Sequence, residues 1–147
     1  MSTEAINSIK EKFSGQITEF IEHNKQRYYI SIDKKDLLDV VRFVFKGLGA
    51  RYIIVSGLDT PDAIEMVYHF SFDKSGKVVS IRTFLSRENP EVESISPIVT
   101  GAQWIEREIH DILGVKFLNH PDPRRFLMAD DWPEGTYPLR KEFKNNG

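Results

Sequence analysis

A chain of 147 residues, 40% apolar and 29% charged, has the size and mix of one globular domain with a sizeable core. Its formal net charge of −2 gives no basis for bulk binding to nucleic acid or to an anionic membrane surface. It contains no cysteine, which excludes disulfides, a cysteine nucleophile, thiolate-held zinc and the usual ligation of an iron–sulfur cluster, so any redox cofactor is expected on another chain.

No apolar run approaches the roughly 18 residues that a spanning helix needs. The start, Met1-Ser2-Thr3-Glu4, lacks the basic-then-apolar pattern of an export signal, and a cytoplasmic location is the expectation.

Ile6, Ile9 and Phe13 recur at i, i+3, i+7 and predict a helix from Thr3 to about Ser14, ended by Gly15. Arg27 to Ile32 reads as a strand by its aromatic and β-branched content. Asp33 is a good N-cap for a helix that carries Leu37, Val40, Val41, Val44, Phe45 and Leu48 on a broad apolar face, with Gly47 or Gly49 as its stop. Three further strands are predicted at 52–58, 64–72 and 78–87. The last two are joined by Asp73-Lys74-Ser75-Gly76, a hairpin signal. Met66, Tyr68 and Phe70 alternate with Val67, His69 and Ser71, so the first set marks the core face. Pro61, Pro90 and Pro97 punctuate the connections. The expected class is α+β: a mixed, largely antiparallel sheet with helices packed on one face and an extended Pro-rich C-terminal arm. The division is a core at 1–113 and an arm at 114–147 within the same domain.

The helix at 102–113 presents Ile105, Ile109 and Ile112 at i, i+4, i+7 as its core stripe, with Trp104, Glu108 and Asp111 on a second face. The plain reading of Glu106-Arg107-Glu108 is a solvated helix face. Glu106 and Glu108 are two apart and diverge, so they are no acid/base pair. Glu108 and Asp111 share a face, where like charge would raise one carboxyl's pKa unless arginine neutralises it. Arg107, Arg124 and Arg125 are the neutralisers at hand, and a carboxylate–arginine network that fixes the following loop suits arginine's fork. An enzyme built on Glu108, Asp111 and His120 needs the three to converge in one cleft.

After Gly114 almost no period survives, yet Phe117, Phe126, Trp132, Tyr137 and Phe143 are too aromatic for simple disorder. The stretch reads as a segment that wraps over something. His120 stands in an Asn-His-Pro-Asp-Pro turn, where its ring nitrogens tie the loop together in preference to acting as a general acid or base. His110 reads as surface, and His69 as the second face of its strand. Phosphate loops, the Gly-x-Ser-x-Gly elbow and His-Glu-x-x-His are all missing from the chain. Arg124-Arg125 and Arg140-Lys141 are too few for a nucleic-acid footprint.

Glu106-Arg107-Glu108-x-x-Asp111, Ile112-Leu113, six residues, His120, three residues and Arg124 reproduce a signature. It resembles that of the respiratory-complex 30-kDa subunit family, whose best-known members belong to the NADH–quinone oxidoreductases of complex I. The resemblance runs on through His120-Pro121-Asp122-x-Arg124-Arg125 to Pro138-Leu139-Arg140-Lys141-Glu142-Phe143. The first hundred residues fit only by general order of elements. Asp131-Trp132-Pro133-Glu134-Gly135-Thr136-Tyr137-Pro138 looks more like the energy-converting, membrane-bound NiFe-hydrogenase relatives. Pro123 stands where leucine is usual, and Asn119 where glycine is.

The resemblance implies a non-catalytic subunit of the peripheral arm of a membrane-associated oxidoreductase, on the cytoplasmic side, without its own cofactor. It would pack against hydrogenase-large-subunit-like and iron–sulfur small-subunit-like partners, which hold the iron–sulfur clusters and, in the hydrogenase branch, nickel and iron. The signature and partner-facing residues it implies are Glu106, Arg107, Glu108, Asp111, His120, Asp122, Arg124, Arg125, Arg140 and Lys141. The alternative is a stand-alone assembly or interaction module that uses the same C-terminal surface.

Overall fold

The structure, a computed structural model, describes residues 2–121. Its elements are α1 (Ser2–Lys12), β1 (Ile17–Glu22), β2 (Arg27–Ile32), α2 (Leu37–Arg42), β3 (Arg51–Asp59), β4 (Ile64–Phe72), β5 (Lys77–Leu85), β6 (Glu91–Glu93), α3 (Gln103–Leu113) and β7 (Lys116–Leu118). The five longer strands form one sheet in the order β1-β2-β5-β4-β3. Only the central β2–β5 pair is parallel. That pairing follows from the α2 crossover, since strands that run the same way cannot be joined by a tight turn. The α+β class with a mixed, mostly antiparallel sheet is what the sequence predicts.

All three helices lie on one face. Phe45 packs against Phe70 at 6.4 Å between ring centroids, and Phe13 against Phe43 at 5.7 Å. These contacts place α1 and the α2 region over the side of β4 that carries Met66, Tyr68 and Phe70, all fully buried. Asp33 caps as expected, its carboxylate accepting from Lys35 N–H at 2.9 Å. The chain then makes a short 3₁₀ turn, α2, and a wide π turn over Phe43–Gly47 closed by Leu48 N–H to Phe43 C=O at 2.8 Å. The wide turn rotates Phe45 and Leu48 to the margin of the core, where both are half-buried. Gly49, at φ +72°, ends the run.

β3 closes the sheet beside α3 through Gly57. A Cβ there would stand 2.7 Å from Leu113 Cδ1 and 3.4 Å from Ile109 Cγ2, so a larger residue at 57 would require the end of the Leu113 side chain to shift. β6 and β7 form a separate two-stranded parallel ladder. Among the described residues no helix is long and apolar enough to cross a membrane.

Three strands escape sequence reading. β1 is an edge strand with a bulge between Ile17 and Glu19, which breaks the alternation that would reveal it. β6 and β7 have three residues each, too few to show a period. β7 also supplies regular structure after Gly114, where the sequence predicts almost none.

Candidate functional site

The charged helix α3 is rotated by about one residue from the expected stripe. Ala102, Glu106, Ile109 and Leu113 point inward and are buried, whereas Ile105 and Ile112 are only half-buried. Glu106, expected on a solvated face, has 0% of its surface exposed. The cause is a set of donors that helix periodicity cannot register. Ser94 Oγ donates to Glu106 Oε1 at 2.6 Å, and Ile95 N–H donates to Oε2 at 3.0 Å. Ser96 Oγ lies 2.6 Å from Ser94 Oγ, and Ser96 N–H donates to Ser94 Oγ at 3.1 Å. A buried carboxyl is tolerated when its lone pairs are satisfied in this way.

Burial still dominates over those bonds. It raises the Glu106 carboxyl from 4.5 to about 7, with the hydrogen bonds from Ser94, Ile95 and Ser96 pulling the other way. The same carboxyl acts on two phenols of the sheet. Tyr52 is raised to about 12 by burial and then by Glu106, and Tyr68, fully buried, is raised by burial, Glu106 and Tyr52.

His120 reaches back to α3, its side chain 3% exposed. Nε2 donates to Gln103 C=O at 2.9 Å and lies 3.8 Å from Glu106 Oε1. This is the loop-tying use expected of it. His110 is not the surface residue that its helix position predicts: Nδ1 donates to Val115 C=O at 2.9 Å, fastening the helix end to the start of β7. Gly114, at φ +79°, makes that reversal with its N–H on His110 C=O at 3.0 Å. Asn119 sits at φ +62°, a left-handed position that glycine favours and asparagine tolerates best among other residues. Its Nδ2 donates to Glu93 Oε2 at 3.0 Å. The departure from glycine is thus accommodated by backbone geometry and gains a bond.

Arg107 lies over the Trp104 ring, 5.6 Å from guanidinium carbon to ring centroid, and Trp104 is 57% exposed. A cavity of about 340 Å³ opens between α3 and β7, lined by Glu106, Arg107, His110, Lys116, Phe117 and His120. Glu108, half-buried, and Asp111, 1% exposed, do not line it. The convergence of Glu108, Asp111 and His120 that an enzyme would require is therefore not formed in this cavity. No group of three or more His, Asp or Glu side chains is placed to hold a metal ion among the described residues. Asp122, Arg124, Arg125, Arg140 and Lys141 lie outside the described residues.

On the opposite face of the sheet, His69 holds Ser80 Oγ at 2.8 Å through Nδ1 and Ser56 Oγ at 3.5 Å through Nε2. Burial, then the charge of Arg27, keeps its pKa below the usual value. Ser80 is buried and out of reach of a substrate, so this serine–histidine pair is a sheet contact. His69 on the second face of its strand is as predicted.

Sequence reasoning finds the helix residues and misses their counterparts, Ser94, Ser96, Tyr52 and Tyr68. Ser94 and Ser96 flank a buried Ile95, an alternation too short to carry a signal.

Residues 30–147 match the family described as respiratory-chain NADH dehydrogenase, 30 Kd subunit. An NADH-quinone oxidoreductase subunit of Chloroherpeton thalassium is 34% identical, over 95% of this chain and 60% of its own length. An F(420)H(2) dehydrogenase subunit of Methanosarcina mazei is 32% identical, over 95% of this chain and 89% of its own length. The chain thus spans less than two thirds of the Chloroherpeton protein. In solved structures, a chain of the membrane-bound sulfane sulfur reductase, an archaeal respiratory membrane complex, shares the fold. It has a TM-score of 0.81 and 23% identity, covering 97% of this chain and 85% of that one.

Proposed function

Because this chain belongs to the respiratory-chain NADH dehydrogenase 30 kDa subunit family, we propose that it serves as a structural, cofactor-free subunit of a membrane-associated oxidoreductase. In this reading it sits in the peripheral arm on the cytoplasmic side of the membrane. It organises the contact between hydrogenase-like large and iron–sulfur small subunits, which carry the redox groups. The observation that carries the reading is the burial of the signature. Glu106 and Asp111 face inward, and Glu106 joins α3 to the 94–96 loop and stands beside His120. Residues used in this way build a shape. The lack of any cysteine in the chain supports placing clusters on partners.

In this reading Arg124 and Arg125 join Glu106, Arg107, Glu108 and Asp111 in a network that holds the C-terminal arm in shape, and Arg140 and Lys141 meet carboxylates of a neighbouring subunit. The test is affinity purification of the tagged chain from its own detergent-solubilised membranes, with iron and nickel assayed in the eluate. Co-elution with iron–sulfur proteins is expected, and nickel would identify the hydrogenase branch. A metal-free monomer recovered only from the soluble fraction would overturn the proposal in favour of a stand-alone module.

A further inference from the structure

A groove of about 650 Å³ runs between the end of α1 and the π turn that follows α2. Lys12 and Phe13 line it from α1, and Arg42, Phe43 and Lys46 line it from α2 and the turn. Lys12, Arg42 and Lys46 are all exposed. One carboxylate shares the lining, that of Asp39, 3.5 Å from Arg42.

Elsewhere on the surface cations meet carboxylates: Arg51 meets Asp73, Arg82 meets Glu19 and Glu65, and Arg87 meets Asp59. Among the described residues, Lys12 and Lys46 meet aromatic rings and no carboxylate. Lys12 Nζ lies 5.2 Å from the Phe43 ring centroid and 5.9 Å from that of Phe13, and Lys46 Nζ lies 5.3 Å from that of Phe45. A ring occupies one side of an ammonium and leaves N–H donors on the other side for an anion.

The backbone is shaped to the same end. Single π turns are rare and recur at functional sites, and this one brings Phe43, Lys46 and Gly47 to the groove. Gly47 has no left-handed φ to require a glycine, and glycine in a helical turn is less stable than alanine. A Cβ at 47 would stand 3.2 Å from Phe43 Cδ1, so the glycine leaves the edge of that ring uncovered. Helix C-termini attract cations, which accounts for Lys12 and Lys46 singly and leaves the bare ring between them unexplained.

Three cations against one carboxylate call for an anionic occupant, and the half-buried Phe43 ring calls for an apolar side chain among its charges. A bilayer fits less well. Phe13 is buried and Phe43 half-buried beside Lys12, so neither projects to enter one. We propose that this groove docks an acidic segment of a neighbouring subunit, its carboxylates on Lys12, Arg42 and Lys46 and an apolar side chain against Phe43. The proposal rests on the subunit reading above and adds to it a surface that shares no residue with the signature.

The test treats the whole tagged chain, in its own detergent-solubilised membranes, with a carbodiimide, which joins a lysine amine to a carboxylate it touches. Mass spectrometry should find Lys12 and Lys46 joined to Asp or Glu of a co-eluting polypeptide. At about 0.15 M salt, a variant with Lys12→Gln, Arg42→Gln and Lys46→Gln should retain roughly a tenth of that polypeptide, each exposed pair being worth a factor of about two to three. Lys74→Gln, at the exposed turn after β4, should retain it all. The wild-type cross-links decide the matter even if the triple variant loses stability. Co-elution in which Lys12 and Lys46 acylate as readily as Lys74, or equal retention by the triple variant, would overturn the groove and leave the subunit reading standing. A wild type that co-elutes with no other chain would overturn both. Binding of wild type, and not of the triple variant, to vesicles of phosphatidylcholine and phosphatidylglycerol at about 3:1, with no cross-link to protein, would overturn it in favour of a membrane surface.

Discussion

Replacing Glu106 by glutamine should remove the fall in stability that the Glu106 carboxyl causes as pH rises toward about 7. Glutamine keeps the shape: its carbonyl can accept from Ile95 N–H while its amide donates to Ser94 Oγ, which passes its own hydrogen to Ser96. In wild type, burial raises the carboxyl from 4.5 to about 7. The folded chain therefore binds this proton more tightly than the unfolded chain does. Its contribution is complete below about pH 4.5, declines as pH rises toward about 7, and is flat above. At about 1.36 kcal/mol per tenfold change in proton affinity, the full contribution is about 3 kcal/mol, of which about 2–3 kcal/mol is lost between about pH 5 and about pH 8. The group has no exposed surface, so solvent screening takes little from that figure. Urea unfolding at a series of pH values measures it directly. Wild type should weaken by about that amount, and Glu106→Gln should change by less than about 1 kcal/mol. A slope of equal size in both proteins would refute the reasoning. Glu106→Ala is a different perturbation. It strands Ile95 N–H and opens a cavity, so it should cost about 2–4 kcal/mol.

Gly57→Val should destabilise by about 1–3 kcal/mol, because its Cβ alone would come within 2.7 Å of Leu113 Cδ1, with Ile109 Cγ2 and Met66 Sδ at 3.4 and 3.7 Å; in urea midpoints, Gly57→Val should prove more severe than Gly57→Ala. Asn119→Gly should be nearly neutral, since φ +62° suits glycine, whereas Asn119→Val should lose about 1–2 kcal/mol, again read from urea midpoints. Arg124→Ala should reduce co-purification with partner subunits more than it lowers the melting temperature of the isolated chain, and equal loss of both would refute a role for Arg124 in shaping the arm for its partners.

Much of the fold is legible because its signals are local. β4 runs over the predicted residues, Ile64 to Phe72, because strict alternation and a clear turn signal bound it. Asp33 and Gly49 act where their chemistry requires. The failures are non-local. Helix period places Glu106 on the solvated side of an Ile105–Ile109–Ile112 stripe. The structure buries it because Ser94 and Ile95, a dozen residues back, arrive with donors, and because Gly57, far earlier, clears space for Ile109 and Leu113. No window along α3 contains that information. His110 escapes for the same reason: its partner, Val115 C=O, becomes available only once Gly114 reverses the chain.

The likeness to subunits of an NADH-linked and an F420H2-linked enzyme bears on what the shared part does. Their names carry different electron donors, and the present chain is about equally similar to both. The neighbours of Glu106 are hydroxyls, a backbone amide, phenols and an imidazole, groups that exchange hydrogen bonds with a carboxyl. On the proposed reading, in which partner subunits carry the redox groups, what Glu106 contributes is the packing of α3 against the 94–96 loop.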